Sequence, residues 1–325
     1  MKTIFLAILL ACEMISCTPT NTPNAQKLNP GLAQGIIGGK TEIQSRQSGL
    51  LEKKRFDAIS NRMVMVMLEE VNPNGNTVLM TASGVILSES FIITSAHIFK
   101  GFKFDTSHIG VLFFGASGTW QDRPRMEFSK SDILNKTSRE VDEMATPDWA
   151  KQAGHKDYVL IRINDGLPAG FQNIRMINDI GFFKQGDPYR VAGFGQSEAV
   201  KLDYQLRTLD LTLSRSNLNQ VSSKFPFPIN LGVETEKFFL ELNANAANTW
   251  RGGDSGGAVY YEHTNASGNI EVYLAGIITS HYDYGSSADC ANHLSSCAVA
   301  GYALRADAFY DDAMATARRI ANGQR

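Results

Sequence analysis

Cysteine is scarce: the 325 residues hold four, and two of them, Cys12 and Cys17, lie within the first seventeen. Only Cys290 and Cys297 remain for the body, too few for a disulfide framework; they lack the companion ligands of a zinc site, which His293 between them does not supply. A surplus of either charge is missing too. With 31 Lys and Arg against 33 Asp and Glu, the net charge is −2, which excludes a basic stripe for nucleic acid and an acidic tail. The longest apolar run, Ile4–Ala11, is too short to span a bilayer, and no later stretch does better. No repeat of fixed period is visible. What is present is an ordinary globular composition, 43% apolar and 20% charged, over a length sufficient for two compact domains.

The start of the chain, MKTIFLAILLACEMISC, has one lysine, an apolar run and small residues beside a cysteine, and reads as a signal peptide over residues 1–17. The turn-rich stretch TPTNTPNAQKLNPG separates it from any core, so residues 18–35 are expected to be a linker or propeptide. Met14-Ile15-Ser16-Cys17 is similar to a lipoprotein box, which makes Cys17 the candidate lipidation site, with Cys12 in a poorer second motif. The chain is therefore expected to be exported, secreted or periplasmic, touching a membrane only through an N-terminal lipid. In such a compartment Cys290 and Cys297 are expected to pair, a short bridge contributing about 2–3 kcal/mol.

Along the body, short apolar or alternating runs follow one another between Gly, Asn, Pro and Ser. Met63–Val71, TVLMTASGVIL, FIITSA, Gly110–Gly115, Tyr158–Ile163, Tyr189–Gly195, Leu206–Leu213, Gly256–Tyr261 and Val272–Ser280 all read as strands. The pattern predicts an all-β sandwich or barrel. A short helix is suggested around Ser138–Ala145, and Asp307–Ala321, with acids early and arginines late, predicts a closing helix. A seam near Asp165–Gln185 divides a front half, about 36–170, from a rear half, about 185–306.

Three short stretches carry the chemistry. TSAHIF places His97 just after a strand, KDYVLIRIN places Asp157 just before one, and GGDSGGAVY sets Ser255 between paired glycines. A serine hydroxyl becomes a useful nucleophile when an imidazole takes its proton and a carboxylate fixes the imidazole tautomer. Backbone N–H groups at Gly253 and Ser255 would then converge on the oxyanion of a tetrahedral intermediate. Taken singly, each stretch has a plainer meaning: a structural histidine, a turn aspartate, a flexible glycine loop. The remaining histidines His108, His155, His263 and His293 are expected on the surface.

Together, in this order, the three stretches resemble the T-A-A-H-C, N-D-I-x-L-I-K-L and G-D-S-G-G-P blocks of the chymotrypsin/trypsin family of serine peptidases, a likeness running from Ile36 to Ala321. The resemblance implies two six-stranded antiparallel β-barrels with a C-terminal helix, the site lying in the cleft between them. It implies a secreted serine endopeptidase, a hydrolase acting on protein or peptide substrates, without metal or cofactor. Ile36-Ile37-Gly38-Gly39 is similar to the new N-terminus of family zymogens, whose ammonium pairs with the residue before the nucleophile, here Asp254. Gly35 precedes it where an Arg or Lys is usual. The family's bridge at the histidine is replaced by Ile98 and Ala82, and Arg251 stands where a pocket cysteine is expected. By the same likeness Thr249, Thr279, Ser280 and His281 line the substrate pocket. Thr249 occupies the place of an aspartate that confers Lys/Arg specificity, so that preference is not expected. Two rival readings are a serine esterase, since Gly253–Gly257 also fits G-x-S-x-G, and a non-catalytic, peptidase-like binding protein.

Overall fold

The structure is a computed structural model that describes residues 20–21, 36, 39–71, 74, 77–99, 107–113, 124–129, 132–134, 157–195, 205–216, 239–244, 248–250, 252–284 and 298–322. Cys12, Cys17, Arg251, Cys290, Cys297 and the suggested helix at 138–145 fall outside these residues.

The front sheet is built from β1 (Thr20–Asn21), β3 (Met63–Val71), β4 (Thr77–Ser88), β5 (Phe91–Thr94), β6 (Ser107–Phe113), β7 (Arg125–Phe128), β8 (Ile133–Leu134) and β9 (Val159–Arg162). Its strands run in the order β7-β6-β3-β4-β5-β9-β8, with β1 on β4. The reason β3 is apolar at nearly every position is visible in its two faces. Val64, Val66 and Leu68 enter the interior of the front barrel with Ile86, Ile92, Val111 and Phe113. Met63, Met65 and Met67 face the other way, into a cluster shared with Ala192, Phe194, Tyr260 and Leu274 of the rear half. Strict alternation thus puts branched side chains inside one barrel and adaptable methionines at the contact between two.

The rear sheet holds β2 (Lys40–Thr41), β10 (Arg175–Met176), β11 (Pro188–Gly193), β12 (Arg207–Arg215), β13 (Phe239–Leu242), β14 (Ala258–Thr264), β15 (Ile270–Tyr284) and β16 (Ala298–Arg305). The pairing of β15 with β16 closes β15-β14-β11-β12-β13-β16 into a ring of six strands, which removes exposed edges. Its interior is filled by Val191, Leu213, Leu240, Trp250, Val259 and Ile278. The fold is the expected all-β pair of curled sheets with a closing helix, α3 (Ala306–Ala321), although each sheet has eight strands where six were expected and β10 joins β15 in parallel. That helix packs Phe309 against Tyr158 with ring centroids 5.2 Å apart, and Asp312 accepts a hydrogen bond from the Tyr158 hydroxyl.

Residues 39–60, expected with the front half, join the rear sheet at their start. Lys40 and Thr41 pair with Thr208 and Arg207 of β12. Two helices follow, α1 (Glu42–Gln47) and α2 (Leu50–Ser60). The Thr41 hydroxyl accepts from the Gln44 N–H at 3.4 Å while the Gln44 side chain accepts from the Thr41 N–H at 2.9 Å, a reciprocal cap that starts α1. Phe56 and Ile59 anchor α2 in the apolar cluster shared by the two halves, and ionic contacts add to this: Glu52 meets Arg190 at 3.2 Å and Arg55 meets Glu262 at 2.5 Å.

Candidate active site

β5 and β9 run antiparallel with Thr94 opposite Val159. The chain leaving β5 and the chain entering β9 therefore emerge at the same rim. The first makes a single 3-10 turn, Ala96–Phe99, that carries His97, and the second begins with Asp157. Asp157 Oδ1 accepts the backbone N–H of His97 at 2.9 Å, and Oδ2 lies 2.9 Å from His97 Nδ1. A carboxylate only accepts here, so Nδ1 carries the proton and Nε2 presents its lone pair. Nε2 lies 2.9 Å from Ser255 Oγ. The three residues named by the motifs thus form one unbroken hydrogen-bonded line, with Ser255 only 6% exposed.

Ser255 arrives from the rear half on the turn before β14. Gly253 has φ of +90° and Gly256 of +79°, conformations that disfavour any side chain. At Gly256 space is also decisive, because a Cβ would lie 2.2 Å from Thr94 Oγ1 and 2.3 Å from the Ser83 carbonyl oxygen, both on the front barrel. The glycine is one of the places where the two halves touch. Beyond it, Gly256 N–H donates to the Ile278 carbonyl at 2.7 Å and Gly257 N–H to that of Asp254 at 2.8 Å. The Gly253 and Ser255 N–H groups make no hydrogen bond to a described residue.

Asp254 is completely buried, and its Oδ1 accepts the Gly195 N–H at 2.8 Å. Ile36 is 4% exposed within the rear barrel's interior cluster; a Cβ on Gly39 would lie 2.4 Å from its Cγ2. Ala82 and Ile98 both lie in the apolar interior of the front barrel, so packing occupies the places of the absent bridge.

The residues expected to line a substrate pocket lie in two places, on β15 and at Thr249. Thr279 sits at a bulge of β15, where the register against β16 shifts between Ile278 and Ser280; its hydroxyl donates to the Tyr302 carbonyl at 3.1 Å. Such a bulge re-aims a strand beside a site. Ser280 and His281 continue β15 opposite Tyr302 and Gly301. Thr249 is fully buried, with its hydroxyl donating to the Trp250 carbonyl at 3.3 Å. Trp250 is a residue the motifs do not name. Its ring lies against Gly301, where a Cβ would come within 2.2 Å of Cη2, so the largest side chain beside the nucleophile turn needs a glycine opposite it. His108 and His263 are exposed, as expected. Among the described residues, no three His, Cys, Asp or Glu side chains are grouped to hold a metal ion.

Comparison with known proteins places this arrangement in context. The scabies mite inactivated protease paralogue S-I1 is a solved structure similar to this chain, with a TM-score of 0.51 and 13% identity, the likeness covering 78% of this chain and 94% of that one. At that identity the likeness speaks to the fold. No curated protein matches. The Trypsin family profile matches residues 59–295, a span that includes His97, Asp157 and Ser255, and the chain belongs to the trypsin family.

Proposed function

We propose that the protein is an active serine endopeptidase working through an acyl-enzyme. The observation that carries this reading is the continuous line from Asp157 through His97 to Ser255 Oγ, with 2.9 Å at each end of the imidazole. Ser255 Oγ attacks the scissile carbonyl carbon as its proton passes to His97 Nε2. Asp157 keeps the Nδ1 proton in place and stabilises the imidazolium. The Gly253 and Ser255 N–H groups receive the oxyanion, and His97 then protonates the leaving amine. Water repeats the sequence on the ester. Only neutral imidazole accepts the proton, so the rate falls on the acid side.

In the same reading the chain is exported by its leader, carries a lipid if Cys17 is processed as a lipoprotein, and is made as a zymogen. Cleavage before Ile36 would free an ammonium to pair with the buried Asp254 carboxylate. The burial of both Ile36 and Asp254 supports this step. Thr249 supplies no negative charge, which supports cleavage after residues other than Lys and Arg.

Fluorophosphonate labelling of exported, processed protein tests the reading. Ser255 should be modified, Ser255→Ala should not, and peptide hydrolysis should fall about 10^4- to 10^6-fold in that variant. The labelled chain should begin at Ile36. Absence of labelling in every processed form would favour a peptidase-like binding protein instead.

A further inference from the structure

Ser83 lies on the front barrel, in β4 opposite Met65 of β3, yet every polar group it owns is directed at the junction with the nucleophile turn. Its hydroxyl donates to the Gly253 carbonyl at 3.0 Å and accepts the Phe194 N–H at 2.9 Å. Its backbone N–H donates to the Ser255 carbonyl at 2.8 Å. Its own carbonyl accepts the Thr94 hydroxyl at 2.7 Å. The residue is wholly buried, so no water competes for these bonds. One side chain therefore connects three segments: β4, the chain leaving β11, and the turn bearing Ser255.

Gly253 has no side chain to choose among its backbone conformations, and glycine takes a positive φ such as its +90° about as readily as a negative one, so a contact from outside is what selects it. The Ser83 hydroxyl is the only side-chain group bonded to the Gly253 carbonyl among the described residues. We infer that Ser83 is a positioning residue for the site, its hydroxyl holding Gly253 in the conformation that aims the oxyanion-binding N–H groups. This rests on the peptidase reading above. Ser83 touches no substrate; it acts through Gly253. The consequence is selective: the tie matters when charge develops on the oxyanion and is silent in ground-state peptide binding.

The test uses Ser83→Ala, which removes the hydroxyl alone, and Ser83→Cys, which leaves a weak donor in its place should the alanine variant fold poorly. Acylation by a chromogenic ester, affinity for a peptide boronate and affinity for the matching product peptide are measured on each. The expected result is an acylation rate lowered about ten- to a hundredfold in the alanine variant, boronate affinity falling by the same factor, and KM, product-peptide affinity and the acid-side midpoint of the rate unchanged. The cysteine variant should fall between the alanine variant and the parent. Unchanged acylation and boronate affinity would overturn the proposal. So would a loss shared equally by product-peptide binding, because it would mean a collapsed groove. If the parent protein itself is neither acylated nor bound by boronate, the peptidase reading fails. Hydrogen exchange then decides the tie by itself: Ser83→Ala should speed exchange of the Phe194 amide and of residues 252–256 above that of other buried amides, and identical exchange would overturn it.

Discussion

The two halves of the molecule hide different things. Every charged residue classed as buried among the described residues belongs to the rear half: Arg190, Arg207, Arg215, Glu241, Asp254 and Arg305. The front strands bury no charge. Their buried polar residues are Ser83, Thr94 and Ser95, and each has a hydroxyl bonded to a backbone carbonyl at or beside the seam: Gly253, Ser83 and Ile278 respectively. The front barrel is thus an apolar frame that fixes the His97–Asp157 pair at its rim. The rear barrel carries Ser255 on a turn held by hydrogen bonds. Apolar packing is non-directional and tolerant, whereas a buried charge is stable only with its partner in place. The rear half is accordingly the one that a single broken contact can disorder.

Removing a partner from that half should have the largest effect. Glu241 is fully buried; its Oε2 meets Arg215 at 2.6 Å and its Oε1 accepts the Ser214 hydroxyl at 2.8 Å. Glu241→Ala takes away the carboxylate facing a buried guanidinium, and urea unfolding should show a loss of about 3–5 kcal/mol. The double variant Glu241→Leu with Arg215→Met replaces both charges by apolar groups and should recover most of that loss. If the double variant is as unstable as the single one, the pair is not the reason for the charge in this barrel.

The next effect sharpens the seam itself. Gly256→Ala should cost about a hundredfold in kcat, because a Cβ 2.3 Å from the Ser83 carbonyl forces the nucleophile turn away from the front barrel. Gly268→Ala is the control: its φ of +75° is similar, but nothing lies within 4 Å of the added atom. It should lose about 1–2 kcal/mol of stability from backbone strain and keep its rate. Equal rates in both variants would mean that the close approach at Gly256 has no bearing on the chemistry.

How much of this was legible in the sequence follows from the kind of signal each feature leaves. Met63–Val71 could be bounded to the residue because its apolar run is flanked by turn residues, and β3 occupies that span. The stretches around His97, Asp157 and Ser255 were legible because each sits at a strand boundary with a distinctive neighbour set. Helix α2 left no long periodic stripe, since Leu50 and Leu51 are 70% and 63% exposed and only Phe56 and Ile59 of its apolar residues enter the core, ionic contacts supplying the rest of its docking. Its companion α1 did leave a sign, the Thr41-x-x-Gln44 cap, which the reading passed over. Ser83 and the Trp250–Gly301 contact could not be found that way. Both are complementarities between segments far apart in the chain, and no local spacing encodes them.

The smallest effect separates α2 from the barrels it lies on. Burial alone would raise the Glu52 carboxyl, but the Arg55 hydrogen bond and the nearby charges of Arg190, Arg55 and Lys40 outweigh it and hold the group below the ordinary carboxylate range. A carboxyl whose folded-state pKa is depressed adds stability above its unfolded value, near 4.3, and loses it as pH falls through the lower folded value. Docking of α2 should therefore be intact at neutral pH and weaken only in strong acid. Glu52→Gln should cost about 1 kcal/mol or less at pH 7, as expected for a partly exposed ion pair, and should flatten the stability curve below pH 4. The apolar front frame predicts that hydrogen exchange in β3 and β6 stays the same in this variant while α2 exchanges faster. A parallel loss of protection in β3 would show that the first helices brace both halves and not the rear one alone.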